Sequence, residues 1–278
     1  MKWKMLKYMA IVIVSVPFFY GLWLLLRAFA FDYFRIPSNS MCPTLRPGDE
    51  VVVNKLLMGA RIYKEFDFDL NGQELKAWRT KGVRPLRHND IVVFNFPHHD
   101  NMFSFVINNV FCKRIIALPG DSLSIINGHY VNNNFDEELG LKVEQDRLEQ
   151  TPDSLFSEQM IATIPYDADH FGWTIRNFGP MYIPRKGDTI ELRAHEGPLY
   201  WMLVAWETGR SITWDWNTDT FYANGSPLLH HTFTHNYYFM AGDNVMDSSD
   251  SRYWGLVPEE YIVGIVSNVI RNNKSKQR

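Results

Sequence analysis

An uncharged apolar run near the N-terminus constrains this chain more than any other feature. Residues 8–26, YMAIVIVSVPFFYGLWLLL, contain no charged side chain, and a helix of that length crosses roughly 30 Å of hydrocarbon at about 1.5 Å per residue. Pro17 is compatible with this, because proline is tolerated in membrane helices. Lys2, Lys4 and Lys7 precede the run, and positive residues favour the cytoplasmic side. The sequence therefore predicts one membrane anchor, with its N-terminus in the cytoplasm and the remaining chain outside.

A cleaved signal peptide is the alternative interpretation of the same segment. Ala28-Phe29-Ala30 imitates the small-x-small pattern at which such peptides are cut. The run is longer, however, than the roughly 7–15 apolar residues of a signal-peptide core. We therefore favour a retained anchor. No other uncharged run approaches this length, and the apolar piece at 261–266 is the size of a strand.

Composition excludes several classes of protein. The chain has 278 residues, of which 46% are hydrophobic and 15% aromatic, so it is expected to fold around a real core. Its net charge of −3 provides no basic field, and no nucleic-acid partner is expected. Two cysteines, Cys42 and Cys112, are too few for a disulfide scaffold and lack the spacing of zinc ligands. We expect neither a metal nor a cofactor.

Short runs rich in β-branched and aromatic residues follow the apolar segment, at 49–56, 90–96, 105–118 and 261–270. Asn-Gly pairs at 71–72, 127–128 and 224–225 signal hairpins, and the last two are expected to be tight. Four phrases, at 45–53, 86–94, 117–125 and 184–192, place a turn and an aspartate before a strand. Ordinary turn chemistry explains them, since glycine supplies positive φ and aspartate caps the turn. The fold class is therefore mainly β.

The composition changes between about 128 and 236, where acidic pieces and many tryptophans occur. This part of the chain is interpreted as an insertion or a second β domain. A short helix is expected within 136–150, because Leu139, Val143 and Leu148 approximate one helical face.

The stretch IPSNSMCPTLRPGD, residues 36–49, contains two serines whose function is ambiguous. Ser40 is either a turn residue or a nucleophile, and a nucleophile requires a base. The histidines cluster at 97–100, a predicted loop, and at 229–235, a predicted strand; His231 and His235, four apart, would suit a metal only on a helix. The other candidate is Lys113, which lies within an apolar strand where burial would lower its pKa from about 10.4. An edge lysine with its amine in water is the alternative for that position.

Five motifs now occur in order after the anchor: PSNSMCPTL, GDEVVVNK, NDIVVFNFP, KRIIALPGD and GDNVMDSSDSRYWGLVP. Together they resemble the type I signal peptidases, the membrane-bound Ser-Lys endopeptidases that remove signal peptides. The resemblance covers about 34–55, 90–121 and 242–264, and it implies an antiparallel β-sheet catalytic domain. The implied organisation is a cytoplasmic N-terminus (1–7), an anchor (8–30), a catalytic domain (31–127 and 237–272), an inserted β-rich subdomain (128–236) and a polar tail (273–278).

The resemblance also implies a role for each matching residue. Ser40 matches the nucleophile and Lys113 the general base, while the Ser38 hydroxyl and the Ser40 amide match the oxyanion hole. Ser248 matches the serine that orients the lysine. Asp243, Asp250 and Arg252 match the polar scaffold behind the site. The implied walls of the substrate pocket are Phe34, Ile36, Leu45, Val51, Val93, Phe111 and Cys112, each of which core packing would explain equally well.

Two features of these motifs are particular to this chain. Val245-Met246 stands where the family often has Arg-Asp, which puts the surface of that loop in doubt. Cys42 and Cys112 both fall beside implied catalytic residues, and we expect free thiols rather than a disulfide.

The implied partners are secretory preproteins whose signal peptides carry small residues at positions −1 and −3, together with membrane lipid and the protein-export translocon. The implied location is the inner membrane, with the catalytic domain on the exterior or periplasmic face. Two alternatives remain. A self-cleaving Ser-Lys protease of the SOS-repressor kind would normally carry a DNA-binding helix-turn-helix, which is replaced here by the apolar run. A catalytically inactive, membrane-anchored peptide-binding homologue would be favoured by loss of Ser40, Lys113 or Ser248, and all three are present.

Overall fold

The computed structural model describes residues 2–99 and 102–272, so the predicted polar tail at 273–278 lies outside the described residues. The helices α1 to α5 are Lys2–Phe29, Lys142–Gln150, Glu158–Ile161, Glu196–Thr208 and Ser251–Trp254. The strands β1 to β10 are Phe31–Arg35, Glu50–Asn54, Arg61–Tyr63, Ala77–Arg79, Ile91–Asn95, His98–His99, Met102–Phe103, Val110–Ala117, Ser122–Ile126 and His129–Asn132. The strands β11 to β19 are Phe178–Tyr182, Thr189–Glu191, Ile212–Asp215, Thr220–Ala223, Ser226–Pro227, His230–Thr232, Tyr237–Ala241, Val257–Pro258 and Ile262–Ile270. Short 3₁₀ turns lie at Asp153–Leu155 and Glu259–Tyr261.

A seven-stranded antiparallel sheet forms the centre of the molecule, in the order β1-β2-β19-β5-β8-β17-β18. The four predicted apolar runs supply β2, β5, β8 and β19, which confirms the mainly β fold. The run at 105–118 becomes a strand only from Val110, because residues 106–109 form a turn closed by the Asn109 amide on the Val106 carbonyl.

The central strand β5 is buried on both of its faces, which explains its nearly continuous apolar sequence. Val93 packs into one apolar cluster with Leu45, Val51 and Val53. Its neighbour Val92 points into a second cluster. Alternation along one strand therefore links two parts of the core.

The four turn-and-aspartate phrases adopt the same local structure. The residue before each aspartate has positive φ, at Gly48, Asn89, Gly120 and Gly187. Each aspartate amide donates to the carbonyl three residues earlier, and each carboxylate accepts from the amide of that same residue. The interpretation as turn chemistry is confirmed.

Two of the three Asn-Gly pairs close tight hairpins, as predicted. Asn127-Gly128 joins β9 to β10, and Asn224-Gly225 joins β14 to β15, with positive φ at every one of these residues. The third pair, at 71–72, lies in a long connection between β3 and β4 rather than at a tight turn.

The predicted apolar helix is confirmed as α1, which begins earlier than the predicted span and ends at Phe29. Its part from Lys7 to Phe29 has 23 residues and a mean hydropathy of 2.3, and none of its most apolar window is buried against the rest of the protein. This is the one helix among the described residues that is long and apolar enough to cross a membrane.

The segment 128–236, called the inserted segment below, contains less strand than expected. Helix α4 buries Leu199, Leu203 and Val204 at helical spacing, in a region that was interpreted as an insertion or a second β domain. The short helix expected within 136–150 exists as α2, but Val143 is 64% exposed and does not share the buried face of Leu148. An apolar cluster that includes residues of β8, β17 and α4 joins the inserted segment to the main sheet.

Candidate active site

The loop 36–49, called the Ser40 loop, connects β1 to β2 and is anchored by apolar side chains. Met41 and Leu45 are buried, at 1% and 0% exposure, and the Leu45 amide donates to the Met41 carbonyl. The base of the loop is closed by the Ile36 amide on the Asp49 carbonyl and by the Gly48 amide on the Ile36 carbonyl. Ser40 therefore projects from a fixed turn and is itself half-buried.

Lys113 lies in β8, between β5 and β17, and is 2% exposed. Its Nζ donates a hydrogen bond to Ser248 Oγ at 2.9 Å. Burial lowers the pKa of Lys113 from its ordinary value of 10.5, and the negative charges of Asp250 and Asp243 offset only part of this effect. The site therefore favours the neutral amine more than water does.

The loop 242–248 follows β17 and contacts the Ser40 loop directly. The Asn244 amide donates to the Ser40 carbonyl at 3.1 Å, and Asn244 Nδ2 donates to the Asn39 carbonyl at 3.3 Å. Gly242 is packed so tightly that a Cβ there would overlap both Ser248 Oγ and the Ser40 carbonyl oxygen. The Ser40 backbone and the Ser248 side chain, which is the partner of Lys113, therefore both pack against Gly242.

Two buried ion pairs lie behind this loop. Asp250 accepts from Arg252 Nε and Nη2 at 2.8 and 2.7 Å, and it also accepts the Gly242 amide. Burial alone would raise the pKa of the Asp250 carboxyl, but the Arg252 guanidinium outweighs it and holds that pKa below its usual range. Asp243 pairs instead with Arg114, at 2.7 Å for both of its oxygens. Arg114 was not predicted, and its position directly after Lys113 in the KRIIALPGD motif was the available signal.

A cavity of about 530 Å³ opens over these residues. It is lined by Ile36, Pro37, Ser38, Asn39, Ser40, Met41, Val110, Phe111, Cys112, Lys113, Asp247 and Ser249. The Ser38 and Ser40 hydroxyls lie 3.4 Å apart. Within the described residues no hydrogen bond joins Ser40 to Lys113, although both face the cavity; catalytic pairs are often this loose without substrate.

The predicted pocket walls divide into two groups. Ile36, Phe111 and Cys112 line the cavity. The other four, Phe34, Leu45, Val51 and Val93, are absent from its lining and pack together beneath the Ser40 loop. Val110, Asp247 and Ser249 line the cavity without having been predicted. Both thiols are free, as expected, and burial raises their pKa values, that of Cys112 to about 12.

No histidine among the described residues lines the cavity. His231 lies on strand β16, a strand rather than a helix, and its ring contacts Glu207, whereas the ring of His235 contacts Glu260. The cluster at 97–100 includes the short strand β6 instead of a simple loop, and residue 100 lies outside the described residues. Within those residues, metal-compatible spacing occurs for His129, Asp146 and Glu149, which are already engaged in surface ion pairs.

Comparisons with known proteins now identify the class. A family model described as "Signal peptidase, peptidase S26" matches residues 3–270. Signal peptidase I of Buchnera aphidicola subsp. Schizaphis graminum is 25% identical over 91% of this chain and 72% of its own length. Signal peptidase I of Buchnera aphidicola subsp. Acyrthosiphon pisum is 29% identical over 89% of this chain and 70% of its own. A solved signal peptidase I from Enterococcus faecalis V583 aligns with 67% of this chain and 100% of its own, at 15% identity and a TM-score of 0.32.

The chain is therefore a serine peptidase, a hydrolase of peptide bonds. It belongs to the signal peptidase family, peptidase S26.

Proposed function

We propose that this protein is a membrane-anchored endopeptidase that removes N-terminal signal peptides from exported preproteins, with Ser40 as nucleophile and Lys113 as general base. The observation that carries the proposal is the environment of Lys113. This residue is almost fully buried, its amine is hydrogen-bonded to a neutral hydroxyl, and it lines the same cavity as Ser40. Such an amine is suited to accept a proton, because its charged form has lost hydration and, within the described residues, no carboxylate lies within ion-pair distance of it.

The chemistry follows from these positions. Neutral Lys113 accepts the hydroxyl proton of Ser40 while Oγ attacks the scissile carbonyl carbon. The carbonyl oxygen becomes an oxyanion, which the Ser40 amide and the Ser38 hydroxyl stabilise. The protonated amine then gives its proton to the leaving amine of the mature protein, and the acyl-enzyme forms. A water molecule, deprotonated by Lys113, attacks the ester carbonyl carbon. The bond to Ser40 Oγ then breaks, and the protonated lysine returns that proton to Oγ, which releases the signal peptide as an acid and restores both residues.

The cavity walls suit a substrate with small side chains near the cut. Ile36, Phe111 and Cys112 provide apolar surface around Ser40, and we propose that this surface receives the small side chains at positions −1 and −3. An extended signal peptide would pair its backbone with exposed strand edges, as in β-augmentation. We propose the edges near residues 34–37 and 109–112 for this pairing.

We further propose that α1 crosses the inner membrane, with the N-terminus in the cytoplasm and the sheet on the exterior or periplasmic side. The uncharged run at 8–26 within α1 and the lysines at 2, 4 and 7 that precede it support this topology. The anchor would keep the cavity near the lipid surface. Preproteins that leave the export translocon would reach the cavity there.

The test is cleavage of a purified preprotein by the full chain in detergent, comparing wild type with Ser40→Ala and Lys113→Ala. We expect mature product from wild type alone. Equal activity of Lys113→Ala would remove the lysine from the mechanism. If no form cut any of several preproteins while all of them bound, the protein would be a peptide-binding homologue.

The pH profile provides a second test of the same chemistry. Because the reaction needs the neutral amine, kcat/KM should fall as the pH drops through the lowered pKa of Lys113, below the ordinary value of 10.5. A profile that did not change on acidification would contradict the base assigned here.

A further inference from the structure

Val245 occupies a position that differs from the pattern of the family, and its environment explains the difference. Its side chain is 2% exposed and forms one apolar cluster with Leu148 of α2 and Ile175, both in the inserted segment. Phe156, Met246 and Tyr253 pack against this cluster. An arginine at 245 would place a charge among these apolar groups without a partner, which is strongly unfavourable.

The opposite side of the same loop carries the candidate catalytic contacts. Asn244, directly before Val245, donates its amide to the Ser40 carbonyl. Three residues after Val245, Ser248 accepts the hydrogen bond of Lys113. Since Gly242 leaves no space between Ser248 and the Ser40 backbone, a shift of the loop would change both contacts.

The inserted segment is held firmly where it receives Val245. Gln145 of α2 donates to the Leu139 carbonyl at 2.6 Å and accepts the Tyr130 amide at 2.9 Å, which fixes α2 on β10. A second connection reaches α5 and its end, where the Ile164 amide donates to the Arg252 carbonyl and the Tyr253 hydroxyl donates to the Met160 carbonyl.

We propose that Val245 is a positioning residue, which seats the 242–248 loop on Leu148 and Ile175 and thereby holds Ser248 against Lys113 and Asn244 against Ser40. The inference rests on the proposed function for its effect on cleavage. The inserted segment then helps to position the candidate catalytic residues, because Leu148 and Ile175, which contact Val245, belong to that segment.

The expected consequence of loosening this contact is a change in the acidic limb of the pH profile. The charged groups that act on the amine of Lys113 are Asp243 of the loop and Asp250 and Arg252 at the start of α5; the Cys112 thiol adjoins it on β8, and Asp247 lines the cavity. None of these groups is removed by a change at 245. Water that enters beside a loosened loop would rehydrate the ammonium, so the midpoint of kcat/KM should move to higher pH.

The experiment uses the full chain in detergent and compares Val245→Ala, Val245→Thr, Val245→Ile and Leu148→Ala with wild type. Val143→Ala is the matched control, because Val143 is an aliphatic residue of α2, the helix that contains Leu148, and is 64% exposed. The readouts are the pH profile of preprotein cleavage and hydrogen exchange of peptides covering 36–49 and 242–248. Exchange reports the seating of the loop without requiring activity.

We expect Val245→Ala, Val245→Thr and Leu148→Ala to move the acidic midpoint up by about half a unit to one unit, which corresponds to a threefold to tenfold loss on that limb and a smaller loss at high pH. The Asn244 amide should exchange faster in these variants. Val245→Ile, which keeps an apolar β-branched side chain, should restore the wild-type midpoint, and Val143→Ala should match wild type in both readouts.

A uniform loss at all pH values, with unchanged exchange in 242–248, would overturn the proposal, because that pattern reports only a smaller folded fraction. If Val245→Ala does not fold, Val245→Thr and Leu148→Ala decide the question by the same two readouts. If wild type cuts no preprotein, the proposed function fails separately, and exchange alone then upholds or overturns the seating of the loop.

Discussion

Half-buried Lys55 and buried Lys113 have different kinds of partner. Lys55 Nζ lies 3.1 Å from the Asp32 carboxylate and donates to the Arg27 carbonyl at 2.7 Å. The Lys113 amine donates to the Ser248 hydroxyl, and in the described part of the chain no carboxylate lies within ion-pair distance of it. Burial lowers the pKa of both lysines, with Asp32 opposing the effect at Lys55. The partner, rather than burial alone, therefore distinguishes the structural amine from the proposed base.

The physical reason lies in what each partner accepts. A carboxylate at 3.1 Å stabilises an ammonium by charge, so that amine holds its proton. A hydroxyl accepts a hydrogen bond from an amine in either protonation state and adds no full charge. Lys113 is thus positioned without being committed to the charged form, which a general base requires.

The largest expected effect separates the two lysines by activity. Lys113→Met should lower kcat for preprotein cleavage by about 10³-fold, within the range typical for loss of a general base. Lys55→Met should leave kcat within about threefold of wild type, since it lies outside the cavity lining. Purified full-length variants would be compared in single-turnover assays. Equal losses in both variants would remove the distinction between a structural and a catalytic amine.

The oxyanion contact should have the next largest effect. Ser38→Ala removes a hydroxyl 3.4 Å from that of Ser40, and loss of one such donor typically costs about 10²–10³ in kcat. Ser38→Thr keeps the hydroxyl and should recover most of the rate. If Ser38→Ala matched wild type, the stabilising donors would have to come from elsewhere, whereas an equal loss in Ser38→Thr would point to crowding.

Removing the hydroxyl partner of Lys113 tests the comparison most directly. Ser248→Ala deletes the hydrogen bond to Nζ and should lower kcat by about tenfold to a hundredfold, the loss expected for one hydrogen bond to an amine. Ser249→Ala is the control, because the neighbouring Ser249 lines the cavity and is exposed. Steady-state assays near the pH optimum measure both. A Ser249 effect as large as that of Ser248 would show that the amine does not depend on its hydroxyl.

The sequence predicted the features that depend on local residue patterns, and it predicted less where distant parts of the chain come together. The strands of the main sheet and the four aspartate turns were predictable because β-branched runs and glycine conformations are local properties. Lys113 was conspicuous, since a charge within an apolar strand requires an explanation. The sequence also predicted the direction of its pKa shift, because burial of an amine in an apolar strand disfavours the charged form. Its contact with Ser248, 135 positions away in the chain, came only from the resemblance, because no local pattern shows it.

Tertiary packing decided several positions that local patterns left open. Leu45, Val51 and Val93 belong to the core beneath the site, and alternation cannot say which apolar face meets a cavity. Val245 appeared to be a surface replacement in the motif, yet it is buried because α2 packs over it. Helix α4 was missed for a similar reason, since its aromatic residues are as typical of strands as of a buried helix.

The smallest expected effect concerns the stability of the fold and its dependence on pH. The folded pKa of Lys113 is lowered, so the unfolded chain binds more protons below 10.5, and wild-type stability should rise with pH across the window below that value. Lys113→Met lacks this titration, and its Tm should exceed that of wild type at pH 7 by a margin that shrinks towards pH 10. The pKa of Lys55 is also lowered, but Lys55→Met loses the Asp32 contact as well, so its Tm at pH 7 should rise less than that of Lys113→Met. Thermal unfolding followed by tryptophan fluorescence in detergent, at several pH values, measures both variants. A lower Tm for Lys113→Met than for Lys55→Met at pH 7 would mean that the fold penalises the charged amine of Lys113 less than that of Lys55, and the contrast between the two sites would then be lost.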